Sequence, residues 1–440
     1  MIANMKREIL NQLNAWKEDS TRKPLLLMGA RQVGKTYILK HFAKTAYRNS
    51  IYINFEDMPG IKSVFEKDLN PETILKALTI IAEQEIIPGS TLIIFDEIQE
   101  CPNALNSLKY FCETANEHHI CAAGSLLGVK LDHIKGFPVG KVNFLHLYPL
   151  NFSEFLTAIK ATQLQSFTTE IDKIEPLSEF IHDKLLGYFK TYLYVGGMPE
   201  AVAEYVASEN FSKVREIQQD LLKAYSLDFA KHAPHNQIMK INQVWQSIPS
   251  QLGKENKKFI FSKLAKGART KDFAEAIQWL IEAGLMLKVS LISTPKIPLS
   301  AYADSDCFKG YLLDVGLLGA MANISAKVLL QENQLLQEFR GSLVENYVAQ
   351  ELVHNQYGLY YWTSEGKAEI DFVFQNENII YPLEVKSGTT NKKKSLRVYA
   401  DKYDPHLLVR TSPMNLKKDG IILNCPLYLI GQLNRLLSVV

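Results

Sequence analysis

The chain has 440 residues, 47% of them apolar and 22% charged. These are the values of an ordinary globular protein, and at roughly 150 residues per domain the length suggests about three domains. A formal net charge of +2 excludes any argument for nucleic-acid binding from the total alone, so such an argument must rest on local charge. Cys101, Cys112, Cys121, Cys307 and Cys425 are dispersed and form no CxxC pair. That speaks against a zinc site or a disulfide framework and fits a reducing cytoplasm.

The first residues place Ile9, Leu10, Leu13 and Trp16 at helical spacing between charges, without the apolar core of a signal peptide. No apolar run approaches the ~18 residues of a membrane span, so the expectation is a soluble cytoplasmic protein. Over residues 1–150, short apolar runs ("PLLLMG", "SIYINF", "TLIIFDE", "HICAAG", "KVNFLHL") alternate with helical stretches. That alternation predicts a parallel sheet covered on both faces, with ligands bound beyond the C-terminal ends of its strands.

The first run leads into "GARQVGKT", which satisfies G-x4-G-K-[ST] with Gly29, Gly34, Lys35 and Thr36. Between and after the glycines, Ala30, Arg31, Gln32, Val33 and Tyr37 complete the loop and the start of its helix. Glycines let the backbone turn several N–H groups toward one anion, and the helix adds its positive end. Lys35 is expected on the terminal phosphates of ATP or ADP, and the Thr36 hydroxyl on Mg²⁺. "TLIIFDEIQ" supplies the partner: Asp96 as the second Mg²⁺-holding group and Glu97 as the residue that orients or deprotonates water. Ser125, after the next strand, is either a γ-phosphate sensor or a helix N-cap.

From 151 to 240 the pattern is helical, broken at "YVGGMPEAV"; from 241 to 328 it runs helix, polar turn, helix, strand and looks like a winged helix. From 329 to 440 a helix leads into several strands. This last stretch carries Glu345 on the helix, Asp371 in "EIDFVF", and Glu384 and Lys386 in "LEVKS". Residues two apart on a strand share a face, so Glu384 and Lys386 are expected together, with Asp371 beside them if the two strands form a hairpin. The order resembles the PD-(D/E)xK nuclease core. In that reading Asp371, Glu384 and Glu345 hold Mg²⁺ or Mn²⁺, and Lys386 orients the water or stabilises developing charge. Basic residues follow (Lys392, Lys393, Lys394, Arg397), and others surround the turn of the winged helix (Lys263, Lys266, Arg269, Lys271). They read either as phosphate contacts or as solvated charge.

"GARQVGKT", "FDEIQ", "LYPLNFSEF" and "GGMPEAV" together resemble a family of predicted AAA-type ATPases of bacteria and archaea that carry a C-terminal domain of unknown function with a restriction-endonuclease-like core. The resemblance implies an α/β protein with a P-loop NTPase core, a helical lid, a winged helix and a nuclease-like terminal domain. It also implies that "GGMP" is a GxP element, with Gly197 and Pro199 on the lid side of bound nucleotide; the residues alone read equally as a helix-breaking loop. Where the family has arginine, this chain has Lys141, which lacks the bidentate fork of an arginine finger. Three outputs remain open: nucleic-acid processing on DNA or RNA, a switch acting on a protein partner with a dead nuclease-like domain, and a DNA-binding regulator. Oligomeric state is not legible, although Lys141 argues against an obligate hexameric ring.

Overall fold

The computed structural model describes residues 5–124, 137–254, 257–330, 337–364, 368–389 and 394–440. The chain packs into two units, one of Lys6–Tyr148 with Glu282–Gly284, the other of Pro149–Ile281 with Leu285–Val440. No described helix is long and apolar enough to cross a membrane.

The first unit runs α1 (Ile9–Glu18), β1 (Leu25–Met28), α2 (Lys35–Ala46), β2 (Asn49–Asn54), α3 (Val64–Lys67), α4 (Pro71–Ala82), β3 (Thr91–Asp96), α5 (Pro102–Thr114), β4 (His119–Ala123) and β5 (Asn143–His146). Each of the five apolar runs is a strand. They form one sheet in the order β2-β3-β4-β1-β5, every pair parallel. Every residue of β3 and β4 is buried, as covered parallel strands require, which is why these runs are continuously apolar rather than alternating. From β1 the chain crosses to the β2 edge, whereas from β4 it passes to β5 on the other side of β1. That reversal opens the crevice beyond the C-terminal end of β1 where ligands of open α/β sheets sit. Phe55, Phe65 and Phe95 pack edge-to-face or tilted at 5.5–5.7 Å in one layer of the core.

The second unit begins with helices α6 (Phe152–Ala158), α7 (Thr162–Thr169), α8 (Glu179–Val195), α9 (Pro199–Ser208), α10 (Phe211–His232), α11 (Ile238–Leu252) and α12 (Thr270–Glu282). A capping box between Asn151 and Glu154 starts α6, which explains "LNFSEF" as a helix-entry signal. Then come β6 (Met286–Ile292), β7 (Ala303–Leu312), α13 (Val315–Met321), α14 (Ala326–Leu330), α15 (Gln337–His354), β8 (Tyr360–Thr363), β9 (Glu369–Asn376), β10 (Ile379–Val385), α16 (Lys394–Tyr403), β11 (Leu408–Ser412), β12 (Lys417–Asp419), β13 (Ile422–Pro426) and α17 (Leu433–Ser438).

All eight strands form one mixed sheet, β12-β13-β11-β10-β9-β8-β6-β7. The helix-turn-helix-strand-strand order expected of a winged helix is present over α11, α12, β6 and β7. However, its two strands are not a free-standing wing: β6 pairs in parallel with β8, so they continue the C-terminal sheet, and the division expected at 328 falls inside one unit. The side chain of Asn346 on α15 ties that helix to β7, accepting from Leu312 N at 2.7 Å and donating to Leu312 O at 2.9 Å.

"GGMP" is a packing joint in this unit. Leu150 N donates to Gly197 O at 2.7 Å, and Gly197 N donates to the buried Asp314 Oδ2 at 2.6 Å. A Cβ on Gly197 would lie 2.0 Å from Leu150 O. Pro199 opens α9 at a position where its missing N–H costs nothing. Gly197→Ala is therefore expected to destabilise the protein by at least about 1–3 kcal/mol in denaturant unfolding. Gly187→Ala, on exposed α8 surface with nothing within 4 Å of the new Cβ, should be neutral or stabilise by about 0.5–1 kcal/mol.

Candidate functional site

The loop between β1 and α2 depends on backbone shapes that its sequence supplies. Gly29 has φ 142°, Gln32 φ 64° and Gly34 φ 97°. A side chain at Gly29 would put Cβ 2.2 Å from Leu147 O, so only glycine lets the loop pass this close to the chain after β5. Lys35 is buried, and its Nζ donates to Gly29 O and Ala30 O at 2.8 Å each. Thr36 Oγ1 donates to Asp96 Oδ2 at 2.6 Å. Asp96 ends β3, and its Oδ1 accepts from Glu97 N at 3.0 Å. Glu97 leaves the strand in the left-handed region, φ 49°, and its carboxylate accepts from Gln99 Nε2.

Two residues at this site carry no sequence motif. Arg7 is buried and donates to Val33 O at 3.1 Å and to Tyr148 O at 2.6 Å, pinning the loop from outside. Tyr52 on β2 donates to Asp96 Oδ2 at 2.8 Å. Burial and this bond push its phenol well above the ordinary range, so it stays a donor. Nothing local flags Arg7, whereas Tyr52 could have been suspected only from the β2–β3 register, which sets Asn54 beside Asp96.

Thr36 keeps lone pairs on its oxygen while its proton is committed to Asp96. That donor set fits a hard divalent cation. Arg31, Gln32, Val33 and Tyr37 complete the turn and the first residues of α2. Lys141 pairs with Glu113 Oε1 at 3.0 Å on the surface of the same unit. Ser125 lies outside the described residues, as do Lys392 and Lys393. Gly197 and Pro199 belong to the second unit, in the joint described above.

In the second unit, β9 and β10 form the expected hairpin. The Phe372–Leu383 pair sets Asp371 opposite Glu384 on the next step, and Val385 N donates to Asp371 Oδ2 at 2.7 Å. Lys386 follows β10 and pairs with Glu384 Oε1 at 2.9 Å. Glu384 is 2% exposed, and its Oε2 has no hydrogen-bond partner. Glu345 on α15 is also buried; Lys257 pairs with its Oε1, and Tyr311 donates to Oε2 at 2.8 Å. A wholly buried Lys309 on β7 pairs with Glu369.

Glu345, Asp371, Glu384 and Lys386 are thus all in one unit, but they do not form the three-carboxylate metal shell expected from the sequence. Among the described residues no group of three or more His, Cys, Asp or Glu is placed to hold a metal ion. Two of the carboxylates instead carry a lysine each, Lys257 on Glu345 and Lys386 on Glu384. Lys257, Lys309 and Tyr311 were not legible beforehand, because they lie far from the motif in sequence and obey no spacing rule. The exposed basic residues Lys263, Lys266, Arg269 and Lys271 lie around the start of α12, while Lys394 and Arg397 lie exposed on α16.

Burial and then the charge of Glu345 push the Asp371 carboxyl up to about 7, against the pull of Lys309, Lys257 and the Val385 N–H. Burial also opposes ionisation of Glu345, yet Lys257 and Lys309 hold its carboxyl below the usual range. For Asp371 the folded-state value lies above the unfolded one, about 3.9. The folded protein therefore holds the extra proton between those values, and this stabilising contribution is complete below about 4 and lost as pH rises toward 7. Asp371→Asn should abolish that part of the pH dependence. Between pH 4 and pH 8 the parent should lose more denaturant stability than the variant, by a few kcal/mol; parallel profiles would contradict this.

Residues 21–156 match the family model described as an AAA domain. Residues 186–328 and 340–429 match models described as domains of unknown function, DUF8612 and DUF4143. No curated protein sequence matches the chain. Among solved structures, the Walker-type ATPase of Pyrococcus abyssi is 15% identical with a TM-score of 0.45, covering 72% of this chain and 96% of that one. AMPPCP-bound DnaA from Aquifex aeolicus is 14% identical with a TM-score of 0.27, covering 62% and 86%. A signal-transduction ATPase with a tetratricopeptide-repeat sensor from Pyrococcus horikoshii is 12% identical with a TM-score of 0.28, covering 81% and 48%. Scores this low establish no shared overall fold and bear on neither substrate nor partner. The five-stranded parallel sheet, its phosphate-type loop and the match to the AAA model agree on a P-loop α/β fold for residues 21–156, similar to an AAA domain.

Proposed function

We propose that the chain is a Mg²⁺-dependent ATP hydrolase working as a nucleotide-controlled switch or motor, with its output directed at nucleic acid through the C-terminal domain. The observation that carries the ATPase reading is the Thr36–Asp96 hydrogen bond of 2.6 Å next to Lys35 in a glycine-shaped loop. In this reading, loop N–H groups from Gly29 to Thr36 cradle the phosphates, and Lys35 exchanges its carbonyl partners for phosphate oxygens. Thr36 and Asp96 hold Mg²⁺, which when bound neutralises developing charge on the phosphates. Glu97, turned out of β3 by its left-handed backbone, orients the attacking water or takes its proton.

For the C-terminal domain, Asp371 beside Glu384 and the unpartnered Glu384 Oε2 favour an oxygen-ligand site for Mg²⁺ or Mn²⁺, with Lys386 at its edge and DNA or RNA as substrate. The lysines on Glu345 and Glu384 favour a second reading, in which the domain is catalytically silent and the ATPase acts on a protein partner. A cytoplasmic setting suits either.

Lys35→Ala should lose detectable binding of a fluorescent ATP analogue, because the cation on the terminal phosphates is gone. Glu97→Gln should retain that binding and lose turnover by about 10²-fold or more; turnover equal to the parent would remove Glu97 from the reaction. In gel assays of DNA and RNA with Mg²⁺ or Mn²⁺, the parent should cleave, and Asp371→Ala and Lys386→Ala should not, while ATP turnover persists in both variants. Absence of cleavage by the parent on every substrate would favour the partner-binding switch.

A further inference from the structure

The residues that follow β3 make one short turn, and Glu97 opens it. Glu97 has φ 49° and ψ 44°, a left-handed backbone that is unfavourable for any residue with a Cβ. The turn is fixed on both sides of it. Glu97 N donates to Asp96 Oδ1 at 3.0 Å, and Glu97 O accepts from Glu100 N at 2.9 Å. Ile98 is buried in the core of the unit, and Cys101 N donates to Ile98 O at 3.0 Å. The backbone of Glu97 is therefore set, while its side chain still has its own torsions to settle.

Gln99, in the same turn, meets that side chain. Its Nε2 donates to Glu97 Oε2. A carboxylate only accepts, so the amide must present its nitrogen and turn Oε1 away. Gln99 is 6% exposed, and its Oε1 is buried with no hydrogen-bond partner among the described residues. Burying an amide oxygen unpaired is unfavourable, and an apolar side chain of the same length would fill the space without that penalty. Packing alone does not account for an amide here. What distinguishes it is the donor it holds against Glu97.

We propose that Gln99 is a positioning residue for ATP hydrolysis, fixing the Glu97 carboxylate in the orientation that receives a proton from the attacking water. The inference rests on Glu97 being the base proposed above, and it adds the group that aims it. In that step the water oxygen bonds the γ-phosphorus, and the bond to the bridging oxygen breaks with its electron pair on ADP. The water proton passes to Glu97. Gln99 touches neither nucleotide nor water in this scheme and acts only through Glu97. Both residues belong to one turn, so the orientation is built in before nucleotide arrives, and a small misplacement of such a group is felt in the rate.

The test is a double-mutant cycle in single-turnover ATP hydrolysis by the full chain, with the affinity for a fluorescent ATP analogue measured in parallel. Gln99→Met keeps the length of the side chain and removes the donor. It should slow hydrolysis about tenfold and leave analogue affinity unchanged. In a Glu97→Gln background the same change should have no further effect, because the group that Gln99 positions is already gone. A further tenfold loss in that background would show that Gln99 does not act through Glu97, and would overturn the proposal. So would a Gln99→Met rate equal to the parent's while Glu97→Gln is slow, a result that leaves Glu97 as the base. Faster hydrolysis by Gln99→Met would mean that the bond restrains Glu97, which also contradicts the positioning role. Parent-like hydrolysis by Glu97→Gln would remove Glu97 from the reaction and this inference with it. If Gln99→Met does not bind the analogue, Gln99→Glu, which keeps shape and polarity but as a carboxylate cannot donate, should show the same loss of rate. Loss of analogue binding in both variants would mark Gln99 as structural and overturn the proposal.

Discussion

The bond from Thr36 to Asp96 joins two segments sixty residues apart, and the first unit is organised so that it can form. Thr36 lies one residue into α2 and Asp96 at the last residue of β3, with β4 between β3 and β1 in a fully parallel sheet. For the hydroxyl to reach the carboxylate, the loop must turn sharply after β1. That turn needs the positive φ of Gly29 and Gly34 and the bare Cα of Gly29 against Leu147 O. Arg7 then fixes the outside of the loop, and Tyr52 holds the same carboxylate from β2. The geometry of the site thus follows from strand order and two glycines.

The second unit solves a different problem: keeping acids inside a sheet–helix interface. Burying a carboxylate without a partner is costly, and here Glu345 and Glu384 are each matched by a lysine, as is the half-buried Glu369. Asp371 has the Val385 N–H and is left closest to neutrality. A purely structural core would place apolar residues at these positions at lower cost. The persistence of so many charges in one place is the physical reason to look for ligand chemistry there.

The sequence showed the first unit nearly whole because its signals are local. Each strand is a continuous apolar run, and the phosphate loop is written in eight adjacent letters. It also showed that Asp371 and Glu384 would stand opposite each other, since they sit on the two strands of one hairpin. What it hid depends on distant pairings. The parallel β6–β8 ladder makes β6 and β7 part of the C-terminal sheet, and no local pattern specifies a parallel neighbour. Lys257 and Lys309 reach the carboxylates from two other elements. Gly197 was visible as a motif, but its reason, the close approach of Leu150 and the bond to Asp314, exists only in three dimensions.

The most direct test of this account is a crystal structure of the chain with Mg²⁺ and a nonhydrolysable ATP analogue. The account predicts that Lys35 Nζ leaves the carbonyls of Gly29 and Ala30 for the terminal phosphates. The metal should lie against Thr36, with Asp96 beside it and Glu97 facing the γ-phosphate. Nucleotide bound elsewhere, or Lys35 still on those carbonyls beside a bound analogue, would contradict it.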